Sequence, residues 1–279
     1  MHDSTNLLSR HGDGRPRIMG VINCTPDSFY EGSRSAQLEH SLEIVEKMIS
    51  EGADWIDIGG ESTRPGATEV SIDEEIRRTA PLILEIRKRF PNQAISIDTR
   101  RHQVAKEAII AGANMINDVS GLRDPEMCEL VLSTEVQVCI MHMQGEPGNM
   151  QNSPQYTDVV QEVSSNLLRK ARELVEQGHP VNRICLDPGI GFGKTLEHNI
   201  SLLRKSEYLR GDEGFSILWG VSRKSMFKEL LGREDTNERL AGTLGVAAYA
   251  QSKGIDILRV HDVAEHADIG HTISKLELN

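Results

Sequence analysis

Apolar positions in this chain come in short runs that end on a polar residue, and each run is followed by a stretch with helical spacing. Met19-Gly20-Val21-Ile22 leads to Asn23 and then to Pro26, which cannot continue a sheet ladder, so a buried strand is predicted to end in a rigid loop. Leu38, Leu42, Val45, Met48 and Ile49 then recur at intervals of three and four, with Gly52 placed to cap a helix. Residues 55–59 read as a second strand, and Ser71 with Glu74 three positions on reads as the capping box of a helix that reaches Phe90.

The unit keeps repeating. Strands are predicted at 94–99, 115–119, 137–142, 183–187, 216–221 and 256–261, with helices ending near Ala111, spanning 157–177, and spanning 238–251. Eight strands, each followed by a helical stretch, predict a (β/α)₈ TIM barrel in a single domain. An open doubly wound sheet would gather its chemistry at one switch point. In this chain Asn23, Asp57, Asp98, Asn117, Asp187 and His261 all fall at or just past strand ends, the rim on which barrel enzymes build their sites. The chain divides into an N-terminal extension, 1–15, and a barrel, 16–279.

Composition narrows the function. With 279 residues the chain has the length of one barrel, and 38% hydrophobic with 4% aromatic residues implies a core of aliphatic side chains, Ala and Met. A net charge of -11 repels phosphate backbones and argues against nucleic-acid binding. There is neither a signal-like N-terminus nor an apolar run long enough to span a membrane, so a cytoplasmic protein is expected. Cys24, Cys128, Cys139 and Cys185 lack paired spacing and read as free thiols.

Gly189-Ile190-Gly191-Phe192-Gly193-Lys194-Thr195 has the look of a phosphate loop, but Pro188 stands where the Walker pattern needs glycine, and Lys194 replaces the third glycine of a dinucleotide fingerprint. The expectation is that these glycines let the backbone lie against a flat ligand. Asp57, Asp98 and Asp187, joined by Asn117, would suit a ligand rich in N–H donors, because a carboxylate can accept a bidentate pair from an amino-heterocycle. Arg223 and Lys224 would bring positive charge and helix N–H groups to the rim, and Arg259 with His261, on one face of the last strand beside Asn23, would form a phosphate or metal-phosphate site. His142, between Met141 and Met143, reads as a wall residue. Small residues along 238–251 would allow close helix contact, against the barrel or between subunits.

The segments Gly20 to Phe29, Asp57 to Gly66, Ser96 to Thr99, Ile116 to Asp118, Met141 to Gly145, Leu186 to Lys194, Ser222 to Ser225 and Arg259 to Asp262 resemble, in order, those of the dihydropteroate synthases. The resemblance implies condensation of 6-hydroxymethyl-7,8-dihydropterin pyrophosphate with p-aminobenzoate on a TIM barrel that uses Mg²⁺. It implies that Asp98, Asn117, Asp187 and Lys224 hold the pterin together with Asp57 and Met141, and that Asn23, Arg259 and His261 hold pyrophosphate, Asn23 also lying near Mg²⁺. Asn23, Asp98, Lys224, Arg259 and His261 are the expected catalytic set. Thr63, Arg64 and Pro65 would help to close the site, and Phe29, Pro65, Phe192, Arg223 and Ser225 would shape the p-aminobenzoate site. Sulfonamides are the expected inhibitors and a homodimer the expected assembly. The sequence departs from the family pattern at Cys24 and in the loop after Phe29. The rival readings are a pterin-binding methyltransferase module of the methyltetrahydrofolate-corrinoid type, which needs no pyrophosphate site, and a phosphate-handling barrel lyase or isomerase, which wants a mid-barrel lysine or glutamate.

Overall fold

The computed structural model describes residues 6–24, 34–62, 69–134, 136–145, 150 and 154–277. Eight parallel strands close into a barrel in chain order: β1 (Arg17–Asn23), β2 (Trp55–Gly59), β3 (Ala94–Asp98), β4 (Met115–Asp118), β5 (Gln137–Met141), β6 (Ile184–Asp187), β7 (Ser216–Trp219) and β8 (Ile257–Val260). The ring shuts where Ile18 lies opposite Leu258. Helices α1 (Arg34–Ser50), α2 (Ile72–Arg89), α3 (His102–Ala111), α4 (Pro125–Thr134), α5 (Val159–Glu176) and α6 (Leu196–Arg204) follow the first six strands. α7 (Met226–Leu231) and α8 (Leu240–Ser252) follow β7, and α9 (Val263–Glu277) ends the described chain. The single-domain barrel expected from the sequence is the fold found.

Local chemistry sets the boundaries. The Ser71 hydroxyl accepts the Glu74 N–H at the start of α2, and α5 starts at Val159 because the Asp158 carboxylate accepts the N–H groups of Val160 and Gln161. α8 begins at Leu240, two residues later than the pattern suggests, since the preceding residues form a tighter turn capped by Asp235. β3, β4, β5, β7 and β8 stop one or two residues short of the ends read from the pattern. At β4 the cause is visible: Asp118 accepts the N–H groups of Ser120 and Leu122 and turns the chain out of the ladder.

Alternation along the strands sorts side chains into two cores. Outward residues such as Ile18, Ile56, Ile58, Ile95, Ile97, Ile140 and Leu186 pack under the helices. Inward residues fill the base of the barrel with Met19, Trp55, Ala94, Met115, Cys139, Cys185, Leu218 and Ile257, and Leu8 seals that layer from below. The indole N–H of Trp55 donates to the Leu7 carbonyl at 3.0 Å, tying residues 6–15 to the floor.

Because Leu8 is fully buried, its truncation leaves a void that the rigid ring cannot fill. Leu8→Ala should lower unfolding free energy by about 2–4 kcal/mol in a denaturant titration while leaving activity per folded molecule unchanged.

Candidate active site

The alternation that fills the floor with apolar groups changes chemistry one step higher. Two residues after Trp55 comes Asp57, after Ala94 come Ser96 and Asp98, after Met115 comes Asn117, after Cys185 comes Asp187, and after Ile257 comes Arg259. The register sets Asp57 opposite Ser96, and Asp98 opposite both Gly59 and Asn117. Glycine at 59 and 220 keeps the mouth open: a Cβ at 59 would lie 3.5 Å from Asn23 Oδ1, and one at 220 would lie 3.7 Å from Asp187 Oδ2.

Arg259 is the counter-ion of this cluster. Its Nε donates to Asp57 Oδ2 at 2.6 Å and its Nη2 to Asp98 Oδ2 at 2.5 Å, while Asn117 Nδ2 donates to the same Asp57 oxygen at 3.3 Å. The other Asp57 oxygen is buried without a partner among the described residues. Such an acceptor is costly unless water or a ligand donates to it. Burial pushes the Asp98 carboxyl up to about 7, Arg259 pulling it down and Asp57 adding to the rise. Burial also raises Asp187, against the opposing charge of Lys224 and the Gly189 N–H. Burial works against the Arg259 charge too, but Asp57 and Asp98 outweigh it and raise its pKa.

Lys224 reaches in from the turn after β7. Its ammonium donates to the Ile190 carbonyl and lies 4.4 Å from the centre of the Phe192 ring. Burial lowers it to about 8, with Asp187 opposing. Beside it, Met141 and Phe192 join Val119, Met143 and Met150 in an apolar wall. The mouth thus offers carboxylates and an amide, an apolar face and a half-buried cation side by side.

Arg223 adopts a left-handed backbone, φ 53°. It is held there on two sides. Its N–H donates to Thr243 Oγ1 at 3.0 Å, and its guanidinium grips both oxygens of Asp262, at 2.8 and 2.6 Å. Ser225 starts α7 without capping it through its side chain. Arg259 and His261, expected to act together, have different partners: Arg259 joins the carboxylates, whereas His261 Nδ1 lies 2.9 Å from Ser222 Oγ. Phe29, Thr63, Arg64 and Pro65 lie outside the described residues.

The glycines of the 189–193 turn have a packing role inside the protein. Gly189, Gly191 and Gly193 all have positive φ, and a Cβ on Gly189 or Gly193 would strike the carbonyl oxygen of His142 or Gln144 at 1.9 or 2.6 Å. Their freedom lets this turn lie against the chain leaving β5, with Gly191 against the Lys224 stem.

Residues 19–261 match the family of pterin binding enzymes. The dihydropteroate synthase of Neisseria meningitidis serogroup C is 45% identical over 260 residues, covering 92% of this chain and 91% of its own. The chain belongs to the dihydropteroate synthase family. Solved members of that family superpose closely. The Xanthomonas albilineans enzyme with 4-aminobenzoic acid gives a TM-score of 0.87 at 39% identity, covering 95% of this chain and 94% of its own. The Yersinia pestis enzyme with a sulfonamide drug gives 0.88 at 40%, covering 96% and 97%. The activity is therefore that of an alkyl-transferring synthase.

Four residues around the mouth were given no role by sequence reasoning: Ser222 behind His261, Asp262 and Thr243 around Arg223, and Lys194, which the failed phosphate-loop pattern left unassigned. Ser222, Asp262 and Lys194 each stand at one end of a segment that resembles the family, the one signal that could have found them; Thr243 carried none.

Removing Arg259 would strand the buried Asp57 and the largely covered Asp98 carboxylates. Arg259→Met should destabilise the fold by about 3–5 kcal/mol near pH 8. In the folded protein Asp98 holds its proton up to about 7, against 3.8 for the ordinary carboxyl, so its contribution to stability falls as pH rises between those values. The variant should therefore recover stability on acidification to pH 6, which thermal unfolding across that range would show.

Proposed function

We propose that the mouth of this barrel divides the synthase reaction among the residues described: Asp98, Asn117, Asp187 and Lys224, with Asp57 and Met141, bind the pterin; Asn23, Arg259 and His261 take the pyrophosphate; and Phe192, Arg223 and Ser225, with Phe29, Thr63, Arg64 and Pro65, enclose the p-aminobenzoate. The observation that carries this reading is the buried Asp57 oxygen with no partner among the described residues, at a mouth that also carries an apolar wall. An amino-pyrimidinone edge supplies the missing donors and a flat ring fills the wall.

The reaction forms one C–N bond and breaks one C–O bond. Pyrophosphate leaves with the bonding electrons, positive charge develops on the pterin methylene, and the aryl amine attacks it and gives up a proton. The acidic set beside the ring favours that positive charge, and Arg259 and His261 favour the departing anion. To reach pyrophosphate, Arg259 must be shared with Asp57 and Asp98, so pterin and anion sites are joined through one guanidinium. Asn23 offers a neutral, hard oxygen at the mouth, a donor that suits Mg²⁺ held mainly by substrate phosphates and water. When bound there, Mg²⁺ would neutralise charge on the leaving group.

The assembly we propose is a homodimer through the outer face of α8, where Gly245 is open and Tyr249 is exposed, whereas Ala247 and Ala250 pack inward and Gly242 lies against Phe227. We place the protein in the cytoplasm, in keeping with its four free thiols. No helix among the described residues is long and apolar enough to cross a membrane.

Incubation with the pterin pyrophosphate, p-aminobenzoate and Mg²⁺ should yield dihydropteroate and pyrophosphate in equal amounts, and a sulfonamide should compete with p-aminobenzoate. Asp98→Asn should weaken pterin binding about 10- to 100-fold in a calorimetric titration, by removing a charged acceptor. Binding without condensation would point instead to a pterin-carrying module.

A further inference from the structure

Lys194 follows the 189–193 turn and is 4% exposed. Its ammonium points inward, away from any phosphate-loop role. It donates toward the carbonyls of Phe192, Gly189 and His142 at 2.9, 3.1 and 3.2 Å, and toward His142 Nδ1 at 3.2 Å. Three N–H groups thus serve four acceptors, drawn from the turn itself and from the residue after β5. His142 accepts as a neutral ring: burial first, and then the Lys194 charge, hold its pKa down to about 3.

Burying an ammonium is costly, and burial brings Lys194 down to about 7 with Asp187 opposing. A methionine would fill the same space without that cost. What it could not do is satisfy carbonyls that converge on one point away from solvent. Around this hub three further groups of the turn are also engaged. The Gly189 N–H is held by Asp187 Oδ1, the Gly191 N–H by Asn199 Oδ1, and the Gly193 carbonyl by the Tyr156 hydroxyl. The turn meets the Lys224 ammonium with the Ile190 carbonyl and the Phe192 ring.

We propose that Lys194 is a positioning residue for the aryl amine substrate, its internal ammonium holding the 188–193 turn in the shape that presents Phe192 and the Ile190 carbonyl to Lys224. This rests on the reading that Phe192 lines the p-aminobenzoate site. Lys194 acts through the turn, by its bonds to Gly189, Phe192 and His142.

The test compares Lys194→Met, Lys194→Gln and Phe192→Ala in the full chain, with thermal unfolding to confirm folding. Lys194→Met should raise KM for p-aminobenzoate at least about tenfold, while kcat and the affinity for pterin pyrophosphate each change less than about threefold. Lys194→Gln keeps two N–H donors and should fall between the two proteins; it carries the comparison if the methionine variant does not fold. An unchanged KM in the folded lysine variants, with a raised KM in Phe192→Ala, overturns the proposal and leaves the site reading standing. Equal losses of pterin and p-aminobenzoate affinity also overturn it, since they would mean general collapse of the mouth. An unchanged KM in Phe192→Ala overturns the site reading and the proposal together.

Discussion

Everything at the mouth depends on neutralising buried negative charge. Asp57, Asp98 and Asp187 project into one ring of strands where water is scarce, and Arg259 and Lys224 are the cations that face them. The balance is kept close to tipping. Asp98 sits near neutrality, Lys224 somewhat above it, and one oxygen of Asp57 has no donor among the described residues. A site in this condition is prepared to receive donors, and the energy that the fold withholds from those groups becomes available to a ligand.

The rim is interlocked around that cluster. The turn after β6 gives Lys224 its carbonyl and its ring, the turn after β7 is pinned by Thr243 from α8, and Arg223 ties it to Asp262 after β8. The left-handed backbone of Arg223 is the kind of strain, about 1–3 kcal/mol, that persists only where several contacts agree on it. Its partners come from α8 and from the chain after β8, which is why the residue that follows it can be aimed at the Ile190 carbonyl and the Phe192 ring.

Much of this was legible in the chain. Alternation and strand ends set the barrel and put Asp57, Asp98, Asn117, Asp187 and Arg259 on one interior face, because a period of two leaves no other choice. Alternation is blind to what a loop does once it leaves the ladder. Gly189 and Gly193 read as a surface for a ligand, and only the folded chain brings the His142 and Gln144 carbonyls against them. Arg259 and His261 share a strand face in the sequence, yet the first is drawn inward by two carboxylates and the second is taken by Ser222, contacts between residues far apart in the chain. Lys194 was hidden for the same reason, its partners being main-chain oxygens that no residue type announces.

The turn after β6 also bears on which molecules the protein ignores. Phosphate loops grip nucleotides with a row of outward amides and a reaching lysine. In this turn the amides of Gly189, Gly191 and Phe192 are already spent on Asp187, Asn199 and the Gly189 carbonyl, and the lysine faces the interior. A nucleoside triphosphate, carrying the same kind of polyphosphate tail as the pterin substrate, meets no cradle at this part of the mouth. The same inward turning that shapes the pocket thereby withholds from abundant nucleotides the foothold they would need to compete.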